Sequence, residues 1–126
     1  MSYSSTSGSC PTFIAECFAL RTAIHFAHLS SKSYSEHVAL DEFYTGLLSL
    51  TDKYAEVYMG LTKQVPVTGW PDVDKPTGTP VEMLEEFLED IAEEEDEDSD
   101  HQSLLNILAE MEELTAQTLY KLRNLK

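Results

Sequence analysis

A chain of 126 residues is long enough to bury the core of one domain and too short for two domains of ordinary size. Its formal net charge is −15, with 8 Lys and Arg residues against 23 Asp and Glu residues. Nucleic-acid affinity depends on cationic side chains that displace counterions, so this composition excludes direct binding to DNA or RNA. No apolar run approaches the roughly 18 residues of a membrane span, and the Ser-rich start lacks the basic and apolar parts of a signal peptide. We therefore expect a cytoplasmic protein that does not bind membranes.

The first predicted helix follows a Ser-rich leader. Residues 1–10 carry no hydrophobic pattern, so we expect a disordered arm there, with Cys10 in it, and one bundle domain over residues 11–126. A Pro at position 11 suits the first turn of a helix. From Phe13 to His28, side chains of the apolar stripe recur every three or four residues, which predicts one helix face.

A second helix is predicted from a capping box. Ser33 is expected to cap the helix and Glu36 to reach back to it. From His37 to Tyr58 the stripe residues alternate in steps of three and four, and the helix should end near Gly60. The first two helices therefore form a hairpin around a short turn.

The second half of the chain predicts a long connection and two more helices. The loop 64–79 is 16 residues long and rich in Pro and Gly, which is unusual for a simple antiparallel turn. Thr79 and Glu82 start a third helix with a second capping box. The third helix should end at the acidic run 93–100, interpreted as a solvated linker, and a fourth helix should run from there almost to the end. We predict an all-α fold, a ferritin-like four-helix bundle with one long crossover between helices 2 and 3.

Four side chains of metal-ligand types lie on the first hairpin. His28 and His37 bracket its turn, while Asp52 and Glu56 are one helical turn apart on its second helix. His37 and Asp52 are about 22 Å apart along a helix axis, so one ion cannot bind both within one chain. A single site of all four would need the carboxylates of a second subunit, in an antiparallel twofold dimer. Such a mixed set suits Fe(II), Zn(II) or Mn(II); the alternative is a core histidine and two surface carboxylates.

The stretch 25–60 resembles the first hairpin of Dps-like members of the ferritin-like superfamily. It is still more similar to a group of small phage-encoded proteins of unknown function with the pattern H-W-x-T-x-S-Y-x-E-H, followed by Asp-x-x-x-Glu and Gly. The corresponding positions here are His28, Leu29, Ser31, Ser33, Tyr34, Glu36, His37, Asp52, Glu56 and Gly60.

The resemblance implies a ferroxidase-like site between two subunits. His28 and His37 would be ligands from one chain, and Asp52 and Glu56 from its partner. A gapless match to the Dps spacing selects His25 as the first ligand, while the local pattern selects His28, so both are candidates. The basic DNA-binding tail of many Dps proteins is missing, and the short third and fourth helices favour a dimer over a closed cage.

These observations support two hypotheses of different classes. The first is a metal-binding homodimer with intersubunit sites, for which oxidation of Fe(II) is the activity that the resemblance implies. The second is an acidic phage-encoded protein that binds or inhibits a host protein in the host cytoplasm, with a vestigial metal site. A third hypothesis is a structural dimer in which the metal site is vestigial.

Overall fold

The computed structural model describes residues 4–62 and 70–126, with side chains from residue 10 onward. The described residues form four helices and no strand, which confirms the predicted all-α fold. The helices are α1 (Ser4–Ser30), α2 (Tyr34–Thr62), α3 (Pro80–Glu97) and α4 (Gln102–Asn124).

The helices form a bundle in which each packs against two others. Around the bundle the order is α1, α2, α4 and α3, so α2 and α3 lie on a diagonal. His28 meets His37 at one end of the α1–α2 pair, and Cys10 meets Tyr54 far along it, so these helices are antiparallel.

The remaining neighbours are antiparallel as well. Between α2 and α4, Glu42 pairs with Lys121 and Lys53 pairs with Glu110, so residue numbers rise in opposite directions.

Between α1 and α3, Cys10 meets Glu94 and Phe13 meets Phe87, so these helices are antiparallel too. Since α2 and α3 are both antiparallel to α1, they run parallel to each other and need a connection as long as the bundle. Residues 72–77 of this connection line a groove together with α1 and α3. The topology therefore has the single crossover that the length of the loop predicted.

The core is built from aromatic and aliphatic side chains of all four helices. Phe87 of α3 is 3% exposed and stacks on Phe13 of α1, with 6.0 Å between the ring centroids. Phe13 also makes an edge contact with Tyr54 of α2, and Phe43 does the same with Phe87. These rings join the two hairpins, and their burial is a main source of stability.

Both predicted capping sequences lie at helix starts. At α3 the box is complete, since the Thr79 hydroxyl accepts from the Glu82 N–H and the Glu82 carboxylate accepts from the Thr79 N–H. At α2 the Ser33 hydroxyl accepts from the Glu36 N–H. The Glu36 carboxylate instead accepts from the hydroxyl of Ser31, so this turn is fixed by side chains from both of its ends.

Helix α1 begins earlier than the sequence suggested. We expected residues 1–10 to be a disordered arm, but α1 starts at Ser4 and Pro11 lies inside it. Cys10 is only 7% exposed, because it lies three residues before Phe13 and so extends the buried stripe by one turn. Residues 1–3 of the expected arm lie outside the described residues.

The interpretation of the acidic run as a solvated linker is wrong. Helix α3 continues to Glu97, and two carboxylates of the run are buried: Glu94 is 5% exposed and Asp98 is 3% exposed. Both continue the stripe of Phe87 and Ile91 in steps of three and four. The helix therefore turns these two carboxylates into the bundle while their neighbours remain at the surface.

Candidate metal centres

Two histidines meet at the turn between α1 and α2. The rings of His28 and His37 stack with 3.7 Å between their centroids. Nδ1 of His28 donates to the carbonyl oxygen of His37 at 2.7 Å, and Nδ1 of His37 donates to the carbonyl oxygen of His28 at 2.9 Å. This reciprocal pair ties the end of α1 to the start of α2, as the sequence predicted for two residues that bracket a turn.

The same hydrogen bonds fix the tautomer of each ring. A carbonyl oxygen only accepts, so Nδ1 carries the proton in both His28 and His37. In a neutral imidazole the other nitrogen, Nε2, then keeps its lone pair. A metal-binding histidine commonly has this arrangement, with one nitrogen held by a carbonyl group and the other available to the ion.

His25 lies beside this pair without joining its hydrogen bonds. Its ring stacks on Tyr44 of α2 at 4.1 Å and lies 6.0 Å from the ring of His28. The Arg21 guanidinium lies over the Tyr44 ring, 5.5 Å from its centroid. Of the two candidates for the first ligand, His28 is therefore the one that forms a close pair with His37.

Asp52 and Glu56 are exposed on the outer side of α2. They occur one turn apart, as predicted, but far along the helix from the histidines. Among the described residues, the groups of three or more His, Cys, Asp or Glu side chains close enough to share an ion include neither the carboxylate pair nor the histidine pair. Within one chain, the four predicted ligands thus remain two half-sites.

A different cluster of ligand-type side chains lies inside the bundle. Sγ of Cys10 from α1 is 3.3 Å from the Tyr54 hydroxyl of α2, and 3.3 Å from carboxylate oxygens of Glu94 and Asp98. The Tyr54 hydroxyl is 3.1 Å from Glu94 and also contacts Asp98. None of these four side chains is more than 7% exposed. We call them the buried acid cluster.

Burial and charge keep protons on the thiol and the phenol of this cluster. Burial raises the pKa of the Tyr54 hydroxyl, and the charge of Glu94 raises it further. Burial likewise raises the pKa of the Cys10 thiol, with smaller upward effects from Glu94 and Asp98. Both groups are therefore protonated at neutral pH unless a cation replaces their protons.

Sequence reasoning missed this cluster because three of its four members belong to segments that looked unstructured, whereas Tyr54 lay on the predicted stripe of α2. Cys10 stood in the expected arm, and Glu94 and Asp98 stood in the expected linker. The available signal was helical spacing, since each residue continues a neighbouring apolar stripe at steps of three or four. The acidic composition of the run concealed that spacing.

A second group of carboxylates lies in the groove between α1 and α3. Burial raises the pKa of Asp90 to about 6, and repulsion from Glu16 and Glu86 contributes as well. Burial also raises the pKa of Glu16, with repulsion from Glu93 as the next cause. The groove thus holds several carboxylates whose mutual repulsion raises these pKa values, and Lys75 lines it as well.

Among the described residues, no helix is both long and apolar enough to cross a membrane.

Comparison with known proteins places the chain in a family. Residues 28–122 match the model of a family described as a family of unknown function, DUF5856. This match covers well over half of the chain and begins at His28.

One relative comes from Enterobacteria phage T4, an uncharacterized 14.6 kDa protein in the mobD-ri intergenic region. It is 32% identical over 78 residues, which span 61% of this chain and 60% of that protein. No solved structure matches. The relative supports the resemblance to small phage-encoded proteins of unknown function, whereas neither match connects the chain to Dps-like proteins. The extent of the family match shows that the chain belongs to the family of unknown function DUF5856.

Proposed function

We propose that this protein is a homodimer that binds divalent transition-metal ions between its subunits. His28 and His37 of one chain and Asp52 and Glu56 of the other are the proposed ligands. The observation that carries the proposal is the histidine pair, in which both Nδ1 atoms donate to carbonyl oxygens. Each Nε2 can then bind a metal without any change of tautomer.

The spacing along α2 supports a second copy as the source of the carboxylates. His37 and Asp52 lie about 22 Å apart along the axis, too far for one ion. In an antiparallel twofold dimer, the histidine end of each hairpin meets the carboxylate region of the other, which creates two equivalent sites. The twofold axis would pass near Thr45, midway between the two half-sites on α2.

Exposed apolar side chains of α1 support this arrangement. Phe18 is 40% exposed and lies close to the level of the proposed axis, since Arg21 faces Tyr44 across the hairpin. Phe26 and Leu29 are each 64% exposed and lie near the histidine pair. A second copy that covers this side would bury all three, and burial of exposed apolar area favours association.

The ligand chemistry narrows the metal. Imidazole nitrogens combined with carboxylate oxygens suit Fe(II), Zn(II) or Mn(II) better than Ca²⁺ or Mg²⁺. If Fe(II) is the physiological ion, oxidation by O₂ is the reaction to assay, as the resemblance to Dps-like proteins implies. The proposed relationship to Dps-like proteins rests on the sequence pattern of the first hairpin alone.

A subunit-mixing experiment tests the proposal. One variant carries His28→Ala and His37→Ala, and the other carries Asp52→Ala and Glu56→Ala. Relative to the wild type, each alone should lose one Zn(II) per chain from the stoichiometry measured by calorimetric titration, while a mixture that forms heterodimers should regain one intact intersubunit site per dimer. His101→Ala serves as the matched control for histidine loss, and sedimentation gives the subunit number. A monomer, or no recovery in mixed dimers, would contradict the proposal.

A second candidate function is favoured by the net charge of −15. An acidic phage-encoded protein that binds a basic surface of a host protein would associate rapidly at low salt and weakly at high salt. The test is capture from host lysate at two salt concentrations, followed by titration of any captured protein with purified chain. If capture did not weaken with salt, or if the captured protein did not bind the purified chain, this mode of binding would be ruled out.

A further inference from the structure

The buried acid cluster brings together side chains from three of the four helices. Cys10 comes from α1, Tyr54 from α2, and Glu94 and Asp98 from the last turn of α3 and its cap. The Cys10 sulfur and the carboxylate oxygens of Glu94 and Asp98 all lie within 4.8 Å of one another. Acidic groups at a protein surface are solvated, but these carboxylates have lost nearly all contact with water, which makes their charges costly.

The cluster has too few protons for its contacts. Its four side chains make five mutual contacts at hydrogen-bond distance. With both carboxylates ionised, the side chains supply two protons, one on the Cys10 thiol and one on the Tyr54 hydroxyl. Each proton fills one contact, so three contacts bring lone pairs together. Positive charge at this point, carried by protons on the carboxylates or by a bound cation, would remove this repulsion.

The spacing of the donor atoms fits a cation. In a tetrahedral zinc site, Zn–O distances of about 2.0–2.2 Å and a Zn–S distance of about 2.3 Å put the sulfur about 3.5–3.7 Å from each oxygen ligand. The Cys10 sulfur lies 3.3 Å from each of its three partners in the cluster. These distances are about 0.2–0.4 Å shorter than in such a site, so a small expansion of the cluster would make room for an ion.

We propose that the buried acid cluster binds one divalent transition-metal ion per chain, independently of the intersubunit site. Cys10, Glu94 and Asp98 are ligands, and Tyr54 is the fourth ligand or a hydrogen-bond donor to them. The thiolate favours Zn(II) or Fe(II) over Ca²⁺ and Mg²⁺. On binding, the thiol proton leaves to solvent and the sulfur forms a bond to the metal, so uptake releases at least one proton per ion.

Cobalt substitution tests the site directly. Co(II) bound to a thiolate gives a sulfur-to-metal charge-transfer band in the near ultraviolet, which a His/carboxylate site lacks. The experiment uses the full chain with His28→Ala and His37→Ala, refolded with Co(II), so that the intersubunit site cannot contribute. We expect the band at one ion per chain, displaced by Zn(II). Absence of the band from this folded protein would overturn the proposal.

Two further variants locate the site. In the same background, Cys10→Ser should abolish the band, and Asp98→Asn should weaken Co(II) binding about tenfold or more. Cys17→Ser is the matched control, because Cys17 is a second buried thiol on α1, two turns along, and should leave the band unchanged. A band that survives Cys10→Ser or disappears with Cys17→Ser would also overturn the assignment. Since the histidines are absent, failure here leaves the intersubunit proposal to be judged by its own mixing experiment.

Discussion

Removal of the charge of Asp90 should stabilise the protein at neutral pH. Burial, followed by repulsion from Glu16 and Glu86, raises the pKa of Asp90 from 3.8 to about 6. For a fully buried group this shift would correspond to about 3 kcal/mol, at about 1.36 kcal/mol per pKa unit. Asp90 keeps part of its solvent contact, so screening reduces the expected effect to about 1 kcal/mol. Asp90→Asn should therefore raise the free energy of unfolding at pH 7.5 by about that amount.

The pH dependence follows from the direction of the shift. Because the folded pKa of Asp90 lies above the unfolded one, the folded state binds more protons between about pH 4 and pH 6. The free energy of unfolding of the wild type therefore falls as the pH rises through this window, and the variant lacks this part of the fall. Part of the fall should remain in the variant, since the pKa of Glu16 is raised as well.

Urea denaturation followed by circular dichroism at pH 4 and pH 7.5 measures both effects. Glu112→Gln is the matched control, because Glu112 is an exposed carboxylate on α4, a helix that does not line the groove. The reasoning would be refuted if Asp90→Asn destabilised the protein at pH 7.5, or if its advantage were equal at both pH values. An equal gain from Glu112→Gln would assign the effect to net charge rather than to the groove.

Two further substitutions test the packing and the caps. Phe87→Ala should lower the free energy of unfolding by about 3–5 kcal/mol, because it removes a ring that is 3% exposed and stacks on Phe13. A loss below about 1 kcal/mol in urea denaturation would mean that the two hairpins do not share this core. Thr79→Ala should cost about 1 kcal/mol, since it removes the side-chain acceptor for the Glu82 N–H. An unchanged denaturation midpoint would show that the capping box does not stabilise α3.

The architecture could be predicted from the sequence where the spacing of apolar residues and the capping residues agreed. The stripe from His37 to Tyr58 and the box at Thr79 correctly indicated α2 and the start of α3. The length of the loop that ends at Thr79 correctly indicated a crossover, because a diagonal pair of helices cannot be joined by a short turn. The meeting of His28 and His37 was likewise predictable, since both flank one short turn.

The buried acid cluster was not predictable in the same way. Composition assigned Glu94 and Asp98 to solvent, and only the folded bundle shows that their helical phase turns them inward. Cys10 lies directly before Pro11, and because Pro commonly marks a helix start, the predicted helix began at Pro11 and left Cys10 outside. The proposed relation between the histidine pair and the carboxylate pair involves a second chain, and residue spacing within one chain carries no direct information about such a contact.

The diagonal position of α2 and α3 has a consequence for the order of folding. Each hairpin closes over a turn of three or four residues, whereas contacts between the hairpins require closure of the whole connection between them. Hairpin formation should therefore precede the docking of one hairpin onto the other. The buried acid cluster takes Cys10 and Tyr54 from the first hairpin and Glu94 and Asp98 from the second. It can exist only after docking, so any signal from these side chains reports the last step of assembly.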